Sequence, residues 1–179
     1  MKDIASHILD ITENSVRANA TLVYISLEKD ITRDTLVLEI KDDGIGMDAD
    51  MVKNLTNPFY TTRKTRKVGL GIPLLVQNSE MSGGKVDIKS VPGKGTELKA
   101  TFGLSHIDRP PEGEIDDVFV NIATGYPEVD FIMTYTSEKG DFILDTREVK
   151  QLFEGLPIND LDVVTGLKEI VKNNIKELK

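Results

Sequence analysis

Ile4, Ile8, Ile11 and Ser15 recur at intervals of three and four, with Leu9 and Val16 beside them, and predict an amphipathic helix over residues 3–18 that ends around Arg17 to Ala20. Two runs rich in β-formers follow, LVYISLE (22–28) and TLVLEIK (35–41), and the polar KDITRD between them predicts an antiparallel pair. Asp48 stands where its carboxylate can cap a short helix, DADMVKNL. Residues 57–70 show no period and are rich in Thr, Lys, Arg and Gly, which predicts a mobile surface loop. IPLLVQNSEM then carries a proline suited to a first helical turn and stops at Ser82-Gly83-Gly84. KVDIKSV and GTELKATFG alternate as strands around the turn PGKG (92–95) and close a first domain, 1–103.

SHIDRPPEGE interrupts both periodicities with two prolines, a glycine and charges, so 104–114 reads as a linker. Beyond it, Ile115, Val118, Phe119 and Ile122 fit a helix better than a strand, and Gly125-Tyr126-Pro127 ends it. VDFIMTYTS and DFILD flank Glu138-Lys139-Gly140 as a hairpin, TREVKQLF is a short helix, and Val164, Leu167, Val171, Ile175 and Leu178 stripe a last one. The expectation for 115–179 is a small acidic α+β appendage, with a docking or dimerisation role.

Composition narrows the chemistry. The 179 residues hold no cysteine and two histidines, which excludes disulfides, thiolate metal sites, a thiol nucleophile and a His-rich cage. The net charge of −8 lies wholly in the second part: residues 1–103 carry 14 acidic and 14 basic side chains, residues 104–179 carry 16 and 8. Acidic surface repels phosphate backbones, so no nucleic-acid partner is expected. No apolar run is long enough to span a bilayer and the N-terminus has no basic-then-apolar leader pattern, so no membrane partner is expected and a cytoplasmic location is the default.

Four short segments carry candidate chemistry. In DITEN, Asp10 and Asn14 are four apart and project from one helical face, followed on that face by Arg17. A carboxylate that can take a proton, an amide oxygen that can ligate Mg²⁺ and a guanidinium that can meet phosphate form a phosphoryl-transfer set, although the same residues would serve as the solvated side of an amphipathic helix. KDDGIGMD places acidic side chains directly after a strand, and Asp42 could accept from an exocyclic amine such as that of adenine; Asp and Gly are also ordinary turn residues. Arg63, Lys64, Arg66 and Lys67 followed by VGLG could cover a triphosphate, or form a solvated charge run.

In type, order and spacing these segments resemble the GHKL superfamily of ATP-binding domains, shared by gyrase, heat-shock chaperones, histidine kinases and mismatch-repair ATPases. The resemblance covers roughly residues 1–103. It implies an α+β fold, a two-layer α/β sandwich with a mixed, mostly antiparallel sheet covered by helices. It implies ATP with Mg²⁺, Asn14 as the metal ligand of the asparagine box, Asp10 as the acidic catalytic position one turn earlier, and Arg17 as a phosphate contact. Asp42 would bind the adenine amino group, Gly44, Gly46 and Met47 would shape the adenine pocket, and Thr96 would support it. Asn57-Pro58-Phe59 would hinge an ATP lid, with Thr62, Arg63, Lys64, Lys67, Gly69, Leu70 and Gly71 wrapping the phosphates.

The sequence departs from that pattern twice. Asp10 is one methylene shorter than the Glu usual in the gyrase-like, chaperone-like and serine-kinase-like members, which puts hydrolysis in question. The asparagine box begins at residue 10, leaving no phosphoaccepting helical hairpin before it. His7, on a pocket-forming helix, is expected to pack or meet solvent rather than accept phosphate, and His106 likewise. The resulting expectation is a free-standing kinase or weak ATPase acting on a phosphoacceptor or other protein partner on a separate chain. The alternative is a non-kinase, ATP-dependent conformational switch. Oligomeric state is open, a homodimer included.

Overall fold

The computed structural model describes residues 2–55, 70–153 and 155–179. Its elements run α1 (Ile4–Arg17), β1 (Leu22–Asp30), β2 (Thr35–Asp42), α2 (Ala49–Asn54), α3 (Gly71–Met81), β3 (Lys85–Val91), β4 (Gly95–Gly103), α4 (Ile115–Gly125), β5 (Asp130–Ser137), β6 (Gly140–Asp145), α5 (Thr146–Leu152) and α6 (Leu161–Leu178). The caps explain several of these limits. Asp3 accepts from the Ser6 amide at the start of α1, Asp48 from Met51 at α2, Asp145 from Arg147 at α5 and Asp160 from Asp162 at α6. Each meets an amide donor that a helix N-terminus would otherwise leave unpaired. Asn19 takes φ 57 after α1, a left-handed conformation that Asn tolerates better than most residues.

All six strands join one open sheet in the order β3-β4-β2-β1-β5-β6. The pairings are antiparallel except β1 with β5, which is parallel, Leu22 opposite Asp130 and Glu28 opposite Thr136. Strand alternation sends Val23, Ile25 and Leu27, then Leu36, Leu38 and Ile40, then Phe131, Met133 and Tyr135 to one face, where all are buried. Helices cover that face in sequence: α3 over β3 and β4, α1 over β1 and β2, α4 on β5, and α6 on β5 and β6. The opposite face carries charge pairs such as Lys89–Glu97 and Lys99–Glu39, together with the exposed Tyr24 and Ile143. This is the mixed, mostly antiparallel α+β architecture expected.

The sheet runs on past residue 103, since β5 pairs directly with β1. The stretch 104–114 is pinned beneath α1: Pro111 and Glu112 carbonyls accept from the Ile4 and Ala5 amides, each at 2.9 Å. The Glu112 carboxylate meets Lys29 at 3.0 Å and accepts from the Tyr135 hydroxyl at 2.8 Å. Burial, reinforced by the Glu112 charge, pushes the Tyr135 hydroxyl far above the ordinary tyrosine range, so it remains a donor. Among the described residues no helix is long and apolar enough to cross a membrane.

Candidate functional site

The C-terminal end of β2 lies opposite the start of β4, with Asp42 and Thr96 as register partners. Asp42 has 8% of its surface exposed, and a buried carboxylate needs donors. It has three. Oδ1 accepts from the Gly44 amide at 3.0 Å and the Thr96 amide at 3.2 Å, and Oδ2 accepts from the Ser15 hydroxyl at 2.7 Å. The next carboxylate is spent differently. Asp43 accepts from the Thr21 hydroxyl at 2.6 Å and from the Thr21 and Leu22 amides at 2.7 and 2.9 Å, tying the strand end to the start of β1. Burial alone would raise the Asp43 pKa, but these donors outweigh it and hold the carboxyl below its usual range. Of the two acids in DDGIG, Asp43 is thus a fastener and Asp42 faces the β2–β4 end.

The loop after Asp42 is clamped on both sides. The Ile45 amide donates to the Ala18 carbonyl at 2.8 Å, and its carbonyl accepts from the Gly93 amide at 2.7 Å. Gly46 has φ +66 and lies so close to the Val91 carbonyl that a Cβ there would collide with it. A side chain is therefore refused at Gly46 by both strain and space. The Met47 amide donates to Ser90 Oγ at 2.8 Å, and Ser90 Oγ lies 2.9 Å from both Thr96 Oγ1 and the Gly95 carbonyl. A cavity of about 150 Å³ at this end of the sheet is lined by Asp42, Ser90 and Thr96 together with Lys41, Lys89 and Glu97 of the sheet's charged outer face.

The second half of the site lies between α1 and α3. Asp10 and Asn14, both half-buried, stand one turn apart on α1. The Asp10 carboxylate is seated against Gly71, the first residue of α3, where any Cβ would run into Oδ2. Leu70 precedes α3 as a half-exposed residue whose side chain caps nothing. Arg17 lies exposed at the end of α1 and pairs with Glu13 at 2.8 Å. Phe59, Thr62, Arg63, Lys64, Lys67 and Gly69 fall outside the described residues.

The structure therefore brings together Asp42, Gly44, Gly46, Met47 and Thr96 at one end, and separately Asp10 with Gly71; α1 carries both Asp10 and the Ser15 that bonds Asp42. Two participants were not singled out from the sequence. Ser15 was visible only as the one hydroxyl on an apolar stripe, and Ser90 as an ordinary inward strand residue. His7 is fully buried on α1 with Nε2 2.9 Å from the Asn78 side-chain nitrogen on α3. Among the described residues no group of three or more His, Asp or Glu could by itself hold a metal ion.

Comparison with known proteins places this geometry. The family model described as "Histidine kinase-, DNA gyrase B-, and HSP90-like ATPase" matches residues 2–106. A "Putative sensor protein" of Shewanella frigidimarina is 31% identical over 103 residues, which are 56% of this chain and 16% of that protein. "Sporulation kinase E" of Bacillus subtilis is 40% identical over 80 residues, 45% of this chain and 11% of that one. The matched stretch thus spans less than a fifth of either relative. Among solved structures, the Aquifex aeolicus MutL ATPase domain complexed with ADP superposes with a TM-score of 0.52 at 16% identity, over 86% of this chain and 70% of that one. The N-terminal domain of a DNA repair protein gives 0.58 at 14% identity, over 87% and 58%. The sequence match stops at residue 106, so part of this likeness in fold lies in the strands and helices that follow.

Proposed function

The chain belongs to the histidine kinase-, DNA gyrase B- and HSP90-like ATPase family, and from that premise we propose that it binds Mg-ATP and passes the γ-phosphoryl group to a protein on another chain, or slowly to water. The observation that carries this reading is the Asp42 carboxylate, buried at the end of β2 and held by donors from α1, from its own loop and from β4. Its placement suits an exocyclic amine, a donor that adenine presents and guanine does not present at the same position. Asn14 supplies an amide oxygen of the kind Mg²⁺ accepts, and Asp10 stands one turn from it. The metal would neutralise phosphate charge when bound. What the chain adds is positioning: α1 carries both the carboxylate and the amide, and α3 begins against that carboxylate at Gly71.

Asp10 is the proposed proton acceptor for the attacking hydroxyl, imidazole or water, and Leu70 and Gly71 with the basic segment before them are the proposed phosphate wrap. The partner-directed kinase reading is favoured by the sensor proteins and the sporulation kinase among the relatives. Location in the cytoplasm belongs to the same proposal. Residues 115–179 are proposed as the surface that meets the partner, through an acidic exterior built on the same sheet.

The test is the fate of labelled γ-phosphate with co-encoded proteins present. Label on a protein identifies a kinase, and slow free phosphate an ATPase. Retention of intact ATP with a change in partner affinity identifies the switch instead. Asp10→Asn is expected to slow transfer or release by about a hundredfold while sparing Mg-ATP affinity, and undiminished turnover would remove Asp10 from the reaction. Gly71→Ala is expected to displace the Asp10 carboxylate and slow turnover by about tenfold or more; a rate equal to the parent's would show that the contact has no part in positioning.

A further inference from the structure

Ser15 occupies a position where the apolar stripe of α1 calls for a hydrophobic residue, and it is 3% exposed. A buried hydroxyl must be satisfied, and its cheapest partner on a helix is the carbonyl four residues back. That carbonyl, Ile11 O, lies 3.4 Å away, whereas Asp42 Oδ2 lies 2.7 Å away. The hydroxyl has one proton, and the shorter approach to a carboxylate oxygen is tolerable only if that proton lies between them. Ser15 therefore donates to Asp42 in preference to its own helix.

The consequence concerns the orientation of Asp42. The torsion that turns a carboxylate about its last bond is broad and weakly restrained. Oδ1 is fixed by two backbone amides, Gly44 and Thr96, that any sequence with this fold would supply. Oδ2 accepts from the Ser15 hydroxyl, the one side-chain donor to Asp42 among the described residues. With that lobe of Oδ2 filled, its remaining lone pair is a fixed acceptor.

We propose that Ser15 is a positioning residue for base selection: it holds Asp42 as an oriented acceptor, so that the site takes bases bearing an exocyclic amine and refuses those presenting a carbonyl there. This rests on the adenine-reading role proposed for Asp42. Without the hydroxyl, Oδ2 gains a second open lobe, and the carboxylate is held only through Oδ1 by the Gly44 and Thr96 amides. A water can then occupy the vacated place and donate to a guanine carbonyl, lowering the cost of the wrong base. Because Ser15 is adjacent to Asn14, the same bond also ties the base-reading end of β2 to the helix that carries the metal-ligand candidate.

The experiment measures affinities of the full chain for Mg-ATP and Mg-GTP by calorimetry, in the parent, Ser15→Ala and Ser15→Thr. Alanine favours a helix interior, so S15A keeps the fold, which its melting temperature without nucleotide checks. The expected result is an ATP-over-GTP ratio about tenfold smaller in S15A, with S15T, which retains the hydroxyl, close to the parent. An unchanged ratio in S15A overturns the proposal, as does S15T falling as far as S15A, since the effect would then be one of packing. If the parent itself prefers neither nucleotide, the adenine-reading role of Asp42 fails, and with it the premise; a parent that selects ATP while S15A selects it equally well removes Ser15 alone.

Discussion

Replacing Asp42 with Asn is expected to weaken ATP binding by about a hundredfold, ~3 kcal/mol, while leaving the protein folded. The fold survives because an asparagine can meet the same neighbours. Its carbonyl oxygen can take the Oδ1 position and accept from the Gly44 and Thr96 amides. Its amide nitrogen then faces Ser15, whose hydroxyl can accept from it and turn its own proton to Ile11 O, 3.4 Å away. No buried polar atom is left unpaired, so only a small fall in melting temperature is expected. The pocket, however, now presents an N–H where the carboxylate presented a lone pair, and an adenine amine meets a donor instead of an acceptor. Titration calorimetry with Mg-ATP checks this directly. Parent-like affinity would take Asp42 out of base recognition, and loss of the folded signal would move its role from binding to architecture.

The contrast between Asp42 and Asp43 shows how far sequence patterns reach. Strand alternation alone sends Asp42 to the face that holds Ile40 and Leu38, and the DGIG turn after it requires close backbone approach at Gly46. The limits of β3 and β4 were legible because KVDIKSV and GTELKATFG alternate cleanly around a glycine turn. The pairing of Asp42 with Thr96 then follows from strand register. Pairing that depends on distant chain was not legible. β5 lies parallel to β1, more than a hundred residues earlier, and a parallel neighbour has no hairpin turn to announce it. For this reason the residues after 114 read as an appendage, although they extend the sheet. Hydroxyl partners were hidden for a different reason. Ser15 and Ser90 look like tolerated small residues until the groups opposite them are known, because one-dimensional periodicity reports which face a side chain takes and not what it meets there.

His7 supplies the other large expected effect, on stability rather than on binding. Its imidazole is fully buried on α1. Nε2 is 2.9 Å from the Asn78 amide nitrogen, which as a donor leaves the ring proton on Nδ1, and Nδ1 has no partner among the described residues. Burial, with a smaller contribution from the N-terminal amine, pulls the His7 pKa from 6.5 down to about 4; the Asp10 and Asp3 carboxylates oppose that pull without reversing it. The unfolded chain therefore binds a proton at His7 more readily than the native state does. Stability linked to His7 is complete above pH 6.5, and it declines as pH falls from 6.5 towards 4, where the native imidazole finally charges. A difference of that size corresponds to a loss of about 3 kcal/mol across this window. Asp3, Asp43 and Asp145, whose carboxyls are held below 3.8, contribute stability that is lost at lower pH still, so they do not mask it. Urea unfolding at pH 7, 6, 5 and 4.5 measures the slope. The double variant His7→Leu, Asn78→Leu removes the titrating ring together with the amide that would otherwise be stranded, and should flatten the curve between pH 6.5 and 4.5. A slope as steep as the parent's would assign the acid sensitivity to other groups. Because the native imidazole stays neutral until the pH nears 4, His7 should lower stability through the unfolded chain across this window, and no loss of turnover in the folded protein is expected from it until the pH nears 4.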